Sequence, residues 1–378
     1  MPSLLPPPVT DTPELSALRQ EVRAFIAEQI ASGGFTPDVD TWLNGFDPAF
    51  TKALAERGWL GMTIPTEYGG HGRSFLERFV VTEELLAAGA PVAAHWIADR
   101  QAGPSLLKYG TEEQKQRYLP RIARGELFWA IGMSEPDSGS DLASVRSRGE
   151  KVEGGWRLTG TKVWTSGAHH AHAFFALVRT SPLDPQHRHD GLSQFIVELD
   201  SPGVEIRPIH SMNGAHHFNE VHFEDVFVPD ELVMGKIGNG WEQVTSELSY
   251  ERSGPERFLS TYQLLAALVD HPAGATDTAE IGRYVARTSA LHEMSNSLAG
   301  ALERHQDVAS AAAVVKVLGT QMEGDIADLA DVLTEDDPAD DELRALVTRA
   351  VMHRPGFTLR GGTQEVLRGV IARELGLR

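Results

Sequence analysis

The stretch Trp156-Arg157-Leu158-Thr159-Gly160-Thr161-Lys162-Val163-Trp164-Thr165 reads with a period of two, the repeat of a half-buried strand. Runs of the same kind follow at 172–179, 194–199, 204–209 and 221–228, punctuated by Gly, Asp, Asn and Pro. On both sides the period becomes helical. Toward the N-terminus, Thr12 and Pro13 supply an N-cap and a first-turn proline ahead of the apolar stripe Leu15, Leu18, Val22, Phe25, Ile26 and Ile30. A second helix starts at Asp47-Pro48 and runs to Gly58. A third starts at Thr111, where Gln114 completes the sequence of a capping box. Beyond Gly240 the spacing predicts helices over 241–268, 278–302, 308–333, 341–352 and 363–375, with 273–277 and 335–341 as inter-helix loops. Helices, then strands, then helices is the order of an α+β chain, and it disfavours an alternating Rossmann sheet. The expected domains are an N-terminal α-helical one over 1–127, a central β-barrel-like one over 128–235 and a C-terminal helical bundle over 236–378.

A chain of 378 residues exceeds the roughly 250–300 at which one hydrophobic core stops growing, which agrees with several domains. No apolar run approaches the ~20 residues of a membrane span. The net charge of -19, from 53 acidic and 34 basic residues, argues against a nucleic-acid surface and requires an anionic ligand to find a local basic patch. The absence of cysteine removes thiolate nucleophiles, Cys-based zinc sites and disulfides together. Met1 to Thr12 lacks the charged-then-apolar pattern of a signal peptide, so the default expectation is the cytoplasm.

Two segments carry candidate chemistry. Met133-Ser134-Glu135-Pro136-Asp137-Ser138-Gly139-Ser140-Asp141 packs a proline turn, a glycine and several hydroxyls into one loop. It is suited either to the polar edge of a flavin or phosphate or to an ordinary surface turn. Trp164-Thr165-Ser166-Gly167 ends a strand, where a tryptophan face followed by a hydroxyl suits a flat heteroaromatic ring, although a lone Trp there is more often core. The histidine groups His169, His170, His172 and His216, His217, His222 lack a carboxylate–histidine helical motif, and no metal site is expected from them.

Taken in order, five segments resemble the acyl-CoA dehydrogenase family along nearly the whole chain. These are Trp59-Leu60-Gly61 through Gly70, Tyr109-Gly110-Thr111-Glu112-Glu113-Gln114-Lys115 through Pro120, the loop Ser134 to Asp141, Lys162-Val163-Trp164-Thr165-Ser166, and Gly361-Gly362-Thr363-Gln364-Glu365 through Glu374. The resemblance implies an α-helical domain, a β domain and a four-helix bundle, with FAD lying between the last two. It places Ile131, Met133 and Ser134 on the flavin pyrimidine edge, Ser140 near cofactor and pantetheine, Trp164 and Ser166 beside the flavin ring, and Thr363 and Glu365 near the FAD phosphates and ribose. On the substrate side it implies Ser140, Ser249, Arg252, Gly361 and Gly362.

Removing hydrogens from the α and β carbons of an acyl thioester needs a carboxylate base facing the hydride acceptor, and donors to the thioester oxygen. In many members of the family the base is a glutamate just before the C-terminal Gly-Thr, where this chain has Gly361. A second branch carries it on the first bundle helix immediately before an arginine, which points to Glu251 before Arg252. Val244, Leu248 and Glu251 fall on one helical face, so burial there would raise the carboxyl pKa toward neutrality. Glu247, one turn earlier, is the competitor.

Homotetrameric members carry an Arg-x-x-Phe-Gly arm and a Gln-x-x-Gly-Gly-x-Gly segment that reach the FAD of a neighbouring subunit. Regions 281–287 and 347–357 of this chain show neither. The resemblance therefore implies a tetramer that includes the heteromeric possibility α2β2 with a dissimilar homologue. It implies an oxidoreductase of fatty-acid or steroid degradation that acts on an acyl-CoA and passes electrons to an electron-transfer flavoprotein. A flavin monooxygenase on the same scaffold and a non-catalytic partner subunit stand as alternatives.

Overall fold

In the computed structural model, residues 5–335 and 341–377 are described, apart from the side chains of residues 248–251 and 273. The chain divides into two compact units. One comprises Asp47–Gly72 and Ala93–Leu248; the other comprises Met1–Phe46, Arg73–Val92 and Ser249–Arg378.

The first unit is built on a sheet of strands β1 (Trp129–Gly132), β2 (Arg148–Val152), β3 (Gly155–Lys162), β4 (Ala173–Arg179), β5 (Leu192–Glu198), β6 (Val204–His210), β7 (His216–Pro229) and β8 (Val233–Met234). Their order is β6-β7-β3-β2-β4-β5-β8, with β1 added parallel to β4. Residues 173–178 of β4 and 192–197 of β5 are buried on both faces, and Phe174, Phe175, Phe195 and Ile196 form the middle of the core. Each fully buried side chain of this size contributes about 1.5–3 kcal/mol. All five expected strands are present. The period did not announce β2, because Arg148, Glu150 and Lys151 are exposed and only Gly149 is buried. Strand β7 begins five residues before the expected 221, in His216-His217-Phe218-Asn219, where apolar alternation is absent. Strand β3 stops at Lys162 rather than 165, because Trp164 turns into the left-handed region at φ 59°.

Helices brace this sheet. Asp47 caps Pro48–Glu56 by accepting from the amides of Ala49 and Phe50. The capping box at Glu112–Ala123 is complete: Thr111 accepts from the Gln114 amide, and the Gln114 side chain accepts from the Thr111 amide. The same Gln114 side chain donates to the carbonyls of Glu231 and Val233, 2.7 and 2.9 Å away, fixing the entry to β8.

In the second unit the helix Pro13–Ala31 buries the predicted stripe as far as Ile26, whereas Ile30, in its last turn, is 41% exposed. The helix Phe75–Ala87 escaped the period reading because every residue from Arg78 to Leu86 is buried, which leaves no single apolar face. Its charges are neutralised locally, with Arg19 donating to Glu83 and Glu84 at 2.8 and 2.5 Å. The predicted continuous helix over 241–268 is instead Gly240–Arg252, a 3-10 turn Pro255–Arg257 and Tyr262–Asp270. Gly254 and Pro255 interrupt it, since proline supplies no amide hydrogen and constrains the residue before it. The segment Pro272–Asp277 is a short 3-10 stretch joining helices. Of the second expected loop, residues 336–340 lie outside the described residues. The helix Asp341–Phe357 continues five residues past 352, through Pro355, and ends with Phe357 fully buried. Ala309–Thr334 packs against Thr278–Glu303, Asp341–Phe357 and Gln364–Glu374, making the C-terminal helical layer. Among the described residues no helix is long and apolar enough to cross a membrane.

Glu323 lies fully buried in that layer. Its Oε1 accepts from the Ser260 amide at 2.8 Å, while Oε2 has no partner. Burial pushes its carboxyl up to about 7, against the opposing charge of Arg360. The folded chain therefore holds this proton more tightly than the unfolded one. The resulting stability is fully present below the ordinary glutamate value and is lost as pH rises through about 7. Glu323→Gln should flatten that decline and stabilise the protein above pH 7 by up to about 3 kcal/mol, as read from urea unfolding at pH 5 and pH 8.

Candidate functional site

The end of β1 and the end of β3 come together through one buried ion pair. After Gly132 the chain turns through Glu135 and Ser138, whose backbones exchange hydrogen bonds of 2.7 and 3.1 Å. Glu135 Oε1 accepts from Lys162 Nζ at 2.7 Å and from the Ser147 amide at 3.0 Å, and Oε2 accepts from the Arg146 amide at 2.6 Å. Lys162, fully buried, also donates to the Met133 carbonyl at 3.1 Å. Burial pushes the ammonium down to about 8 against the attraction of Glu135. Burial would raise Glu135, but Lys162 and the Arg146 amide outweigh it and hold the carboxyl below its usual range. The Val163 amide donates to the Ser134 carbonyl at 2.9 Å. Residues 133–135 and 162–163, far apart in sequence, thus form one structural piece. Sequence reading quoted Glu135 and Lys162 within its motifs without giving them a role, and only the fold pairs them.

Trp164 follows directly. A non-glycine residue at φ 59° costs about 1–2 kcal/mol, and such outliers persist only where the surroundings hold them. Here Val163 is held by Ser134 on one side, and on the other Thr165 and Asn219 exchange backbone hydrogen bonds of 3.0 and 3.1 Å. The indole is not core: it is 59% exposed and meets Phe218 edge-on, with ring centroids 5.7 Å apart. Of the other expected cofactor residues in this unit, Ile131 is half-buried in β1 opposite Phe175, and Met133 packs on Val145, Leu177, Leu192 and Val244. Ser134 and Ser166 are half-buried and Ser140 is exposed. A Cβ built on Gly139 meets nothing within 4 Å, so that loop has open space above it. An open loop rich in N–H and O–H groups beside an exposed indole fits a flat ring with a polar edge, as FAD has.

In the other unit Gly361 and Gly362 have φ of 69° and 90°, which explains glycine at both places. Their carbonyls are held: Arg252 Nε donates to Gly361 at 2.8 Å, and Lys316 Nζ donates to Gly362 at 2.8 Å and to Thr358 at 2.9 Å. A Cβ on Gly362 would lie 3.0 Å from the Arg252 guanidinium. Arg252, expected on the substrate side, is thus placed on the backbone of the glycine turn. Thr363 caps Gln364–Glu374 by accepting from the Val366 amide, and Glu365 is exposed in the first turn. The backbone of the helix Gly240–Arg252 includes Ser249 and Glu251, but their side chains lie outside the described residues. Glu247 is buried and accepts from Gln194 Nε2 at 2.8 Å. Among the described residues no group of His, Asp or Glu is arranged to hold a metal ion. The rings of His169 and His216 stack face to face at 3.9 Å.

A sheet that comes between helical segments in chain order, with an exposed, strained tryptophan beside a fastened loop, agrees with the order of layers that the resemblance implies. Family models match over most of the length: the N-terminal domain of acyl-CoA dehydrogenase over residues 12–126, its middle domain over 130–226 and its C-terminal domain over 258–376. The chain is 34% identical to acyl-CoA dehydrogenase FadE34 of Mycobacterium tuberculosis, covering 97% of this chain and spanning about half, 49%, of that protein. It is 33% identical to acyl-CoA dehydrogenase IpdE1 of Mycolicibacterium smegmatis, covering 96% of this chain and 98% of the relative. Among solved structures it is similar to the Tcur3481-Tcur3483 steroid ACAD, with a TM-score of 0.82 at 30% identity over 97% of this chain and 98% of that one. The chain belongs to the acyl-CoA dehydrogenase family of flavoprotein oxidoreductases.

Proposed function

We propose that the protein oxidises an acyl-CoA thioester to its trans-2-enoyl-CoA with FAD as cofactor and passes the electrons to an electron-transfer flavoprotein. The observation that carries this reading is the exposed Trp164, kept in a strained backbone beside a loop fastened by a buried ion pair. Ile131, Met133, Ser134, Ser140, Trp164, Ser166, Thr363 and Glu365 would hold FAD. When bound, FAD supplies the acceptor for the β hydride. Glu251 takes the α proton. The Gly361 amide donates to the thioester oxygen, its peptide chain oriented by Arg252 and Lys316, while Ser140, Ser249 and Gly362 line the thioester and pantetheine. The monooxygenase alternative needs no base of this kind.

Similarity to a protein described as a steroid ACAD favours a bulky, ring-containing acyl group. The test is anaerobic bleaching of the flavin by straight, branched and polycyclic acyl-CoAs. Polycyclic thioesters should bleach fastest, and failure of every acyl-CoA to reduce a fully loaded enzyme would leave the non-catalytic subunit reading in its place.

The same similarity, together with the missing Arg-x-x-Phe-Gly arm, supports an α2β2 assembly with a dissimilar homologue. A chain of charge -19 without that arm lacks donors for the two pyrophosphate charges from its own second copy. Expressed alone, it should purify with little flavin, and co-expression with the homologue should restore it. A fully loaded, active homo-oligomer from solitary expression would overturn this.

A further inference from the structure

The turn that carries Trp164 and Ser166 is tied to a set of histidines that the proposed reaction does not use. The tie is Asn219 of β7, which is fully buried. Its Nδ2 lies 3.0 Å from the Thr165 carbonyl and 3.0 Å from His169 Nδ1, and its Oδ1 lies 2.7 Å from His216 Nε2. A carbonyl only accepts, so the amide nitrogen must face Thr165, and this fixes the orientation of the whole amide. Two acceptors remain for the second amide hydrogen, His169 Nδ1 at 3.0 Å and the His217 carbonyl at 3.4 Å, and the shorter contact assigns it to His169 Nδ1. An imidazole that accepts at Nδ1 is uncharged and carries its proton on Nε2. By the same logic His216 donates from Nε2 to Oδ1. The directions of these bonds follow from the chemistry of the atoms and their distances.

We propose that Asn219, with His169 and His216, is a positioning relay that sets the Trp164–Ser166 turn and holds it only while His169 is uncharged. This rests on the flavin reading for the purpose of the turn, though not for the relay itself. Thr165 is held by Asn219 three times, through both backbone bonds and the side-chain amide. Adding a proton at His169 Nδ1 turns an acceptor into a donor facing a donor, which drives the amide away from the turn. The histidines facing His169 oppose its charge. His170, on its own turn, lies 3.9 Å away, and His216 of β7 is stacked at 3.9 Å, with His210 of β6 behind it at 5.6 Å from His216. Burial, then His170 and His216, push His169 down to about 4. The folded value lies below the ordinary histidine value, so the relay contributes fully at neutral pH and is lost as pH falls through about 4.

Trp164 reports on the turn without any flavin. The experiment compares wild type, His169→Gln, Asn219→Leu and Trp164→Phe by iodide quenching of tryptophan fluorescence from pH 8 to pH 4, with Trp164→Phe subtracted to isolate the exposed indole. The wild-type signal should be flat to about pH 5.5 and then change toward pH 4. In His169→Gln the side-chain oxygen still accepts from Asn219 and cannot titrate, so the neutral signal should persist to pH 4. Asn219→Leu should show the acid signal already at pH 7.5 and bind added FAD about tenfold more weakly. Coincident acid transitions in wild type and His169→Gln, or a neutral-type signal in Asn219→Leu, would overturn the relay. If the fluorescence behaves as expected but FAD affinity is unchanged in Asn219→Leu, the relay stands and the flavin reading of Trp164 falls.

Discussion

Glu251→Gln should leave folding and flavin content intact while slowing anaerobic flavin reduction by acyl-CoA about 100- to 10,000-fold. The amide keeps the volume of the carboxylate but accepts no proton, so the loss falls on the chemical step and appears in kcat rather than in substrate binding. Glu247, one turn earlier, is the control. Its carboxylate is buried and accepts from Gln194, a hydrogen-bonded partner in the sheet unit. Glu247→Gln should therefore reduce stability more than reduction rate. If the Glu247 variant loses bleaching and the Glu251 variant keeps it, the base is one helical turn earlier. If both bleach normally, it is on another helix.

Lys162→Met should be among the most destabilising single changes in the sheet unit, by about 3–5 kcal/mol, because it strands the Glu135 carboxylate in the interior without its cation. It should also release the 133–141 loop, so the purified variant should contain less than half of the wild-type flavin per chain. The double variant Lys162→Met with Glu135→Gln removes both charges and should recover much of the stability, since the Gln oxygen still accepts an amide hydrogen. Thermal unfolding of wild type, Lys162→Met, Glu135→Gln and the double variant measures the coupling. A Lys162→Met protein as stable and as yellow as wild type would show that the loop is held by its backbone alone.

The sequence disclosed the order of layers and five strands because β3 carries alternation and β4 and β5, buried on both faces, are short runs bounded by turn residues. It disclosed caps at Thr12, Asp47 and Thr111 because a cap is a local event. It did not disclose Phe75–Ala87, which is buried all round, or β2, whose outward residues are charged and whose one buried residue is a glycine. The break after Arg252 was written plainly in Gly254-Pro255, but the long apolar period over it was allowed to win. At the site, Trp164 and the 134–141 loop were found as separate motifs. What binds them together could not be read, because the Lys162–Glu135 pair and the Asn219 amide are contacts between residues 27 and 50 or more positions apart. His169 looked like an idle loop residue for the same reason: its partner Asn219 is 50 positions away on β7.

The fastening of the loop also decides how the protein tolerates its surroundings. With no cysteine in the chain, nothing in that fastening responds to reductant or thiol reagents. Because Lys162 is fully buried and Glu135 nearly so, dissolved ions cannot enter to screen the pair, unlike the exposed bridges Arg148–Glu150, Lys151–Asp230 and Arg207–Glu205. As salt is raised, these peripheral bridges weaken first, and of the four pairs the Lys162–Glu135 strap is the last to respond.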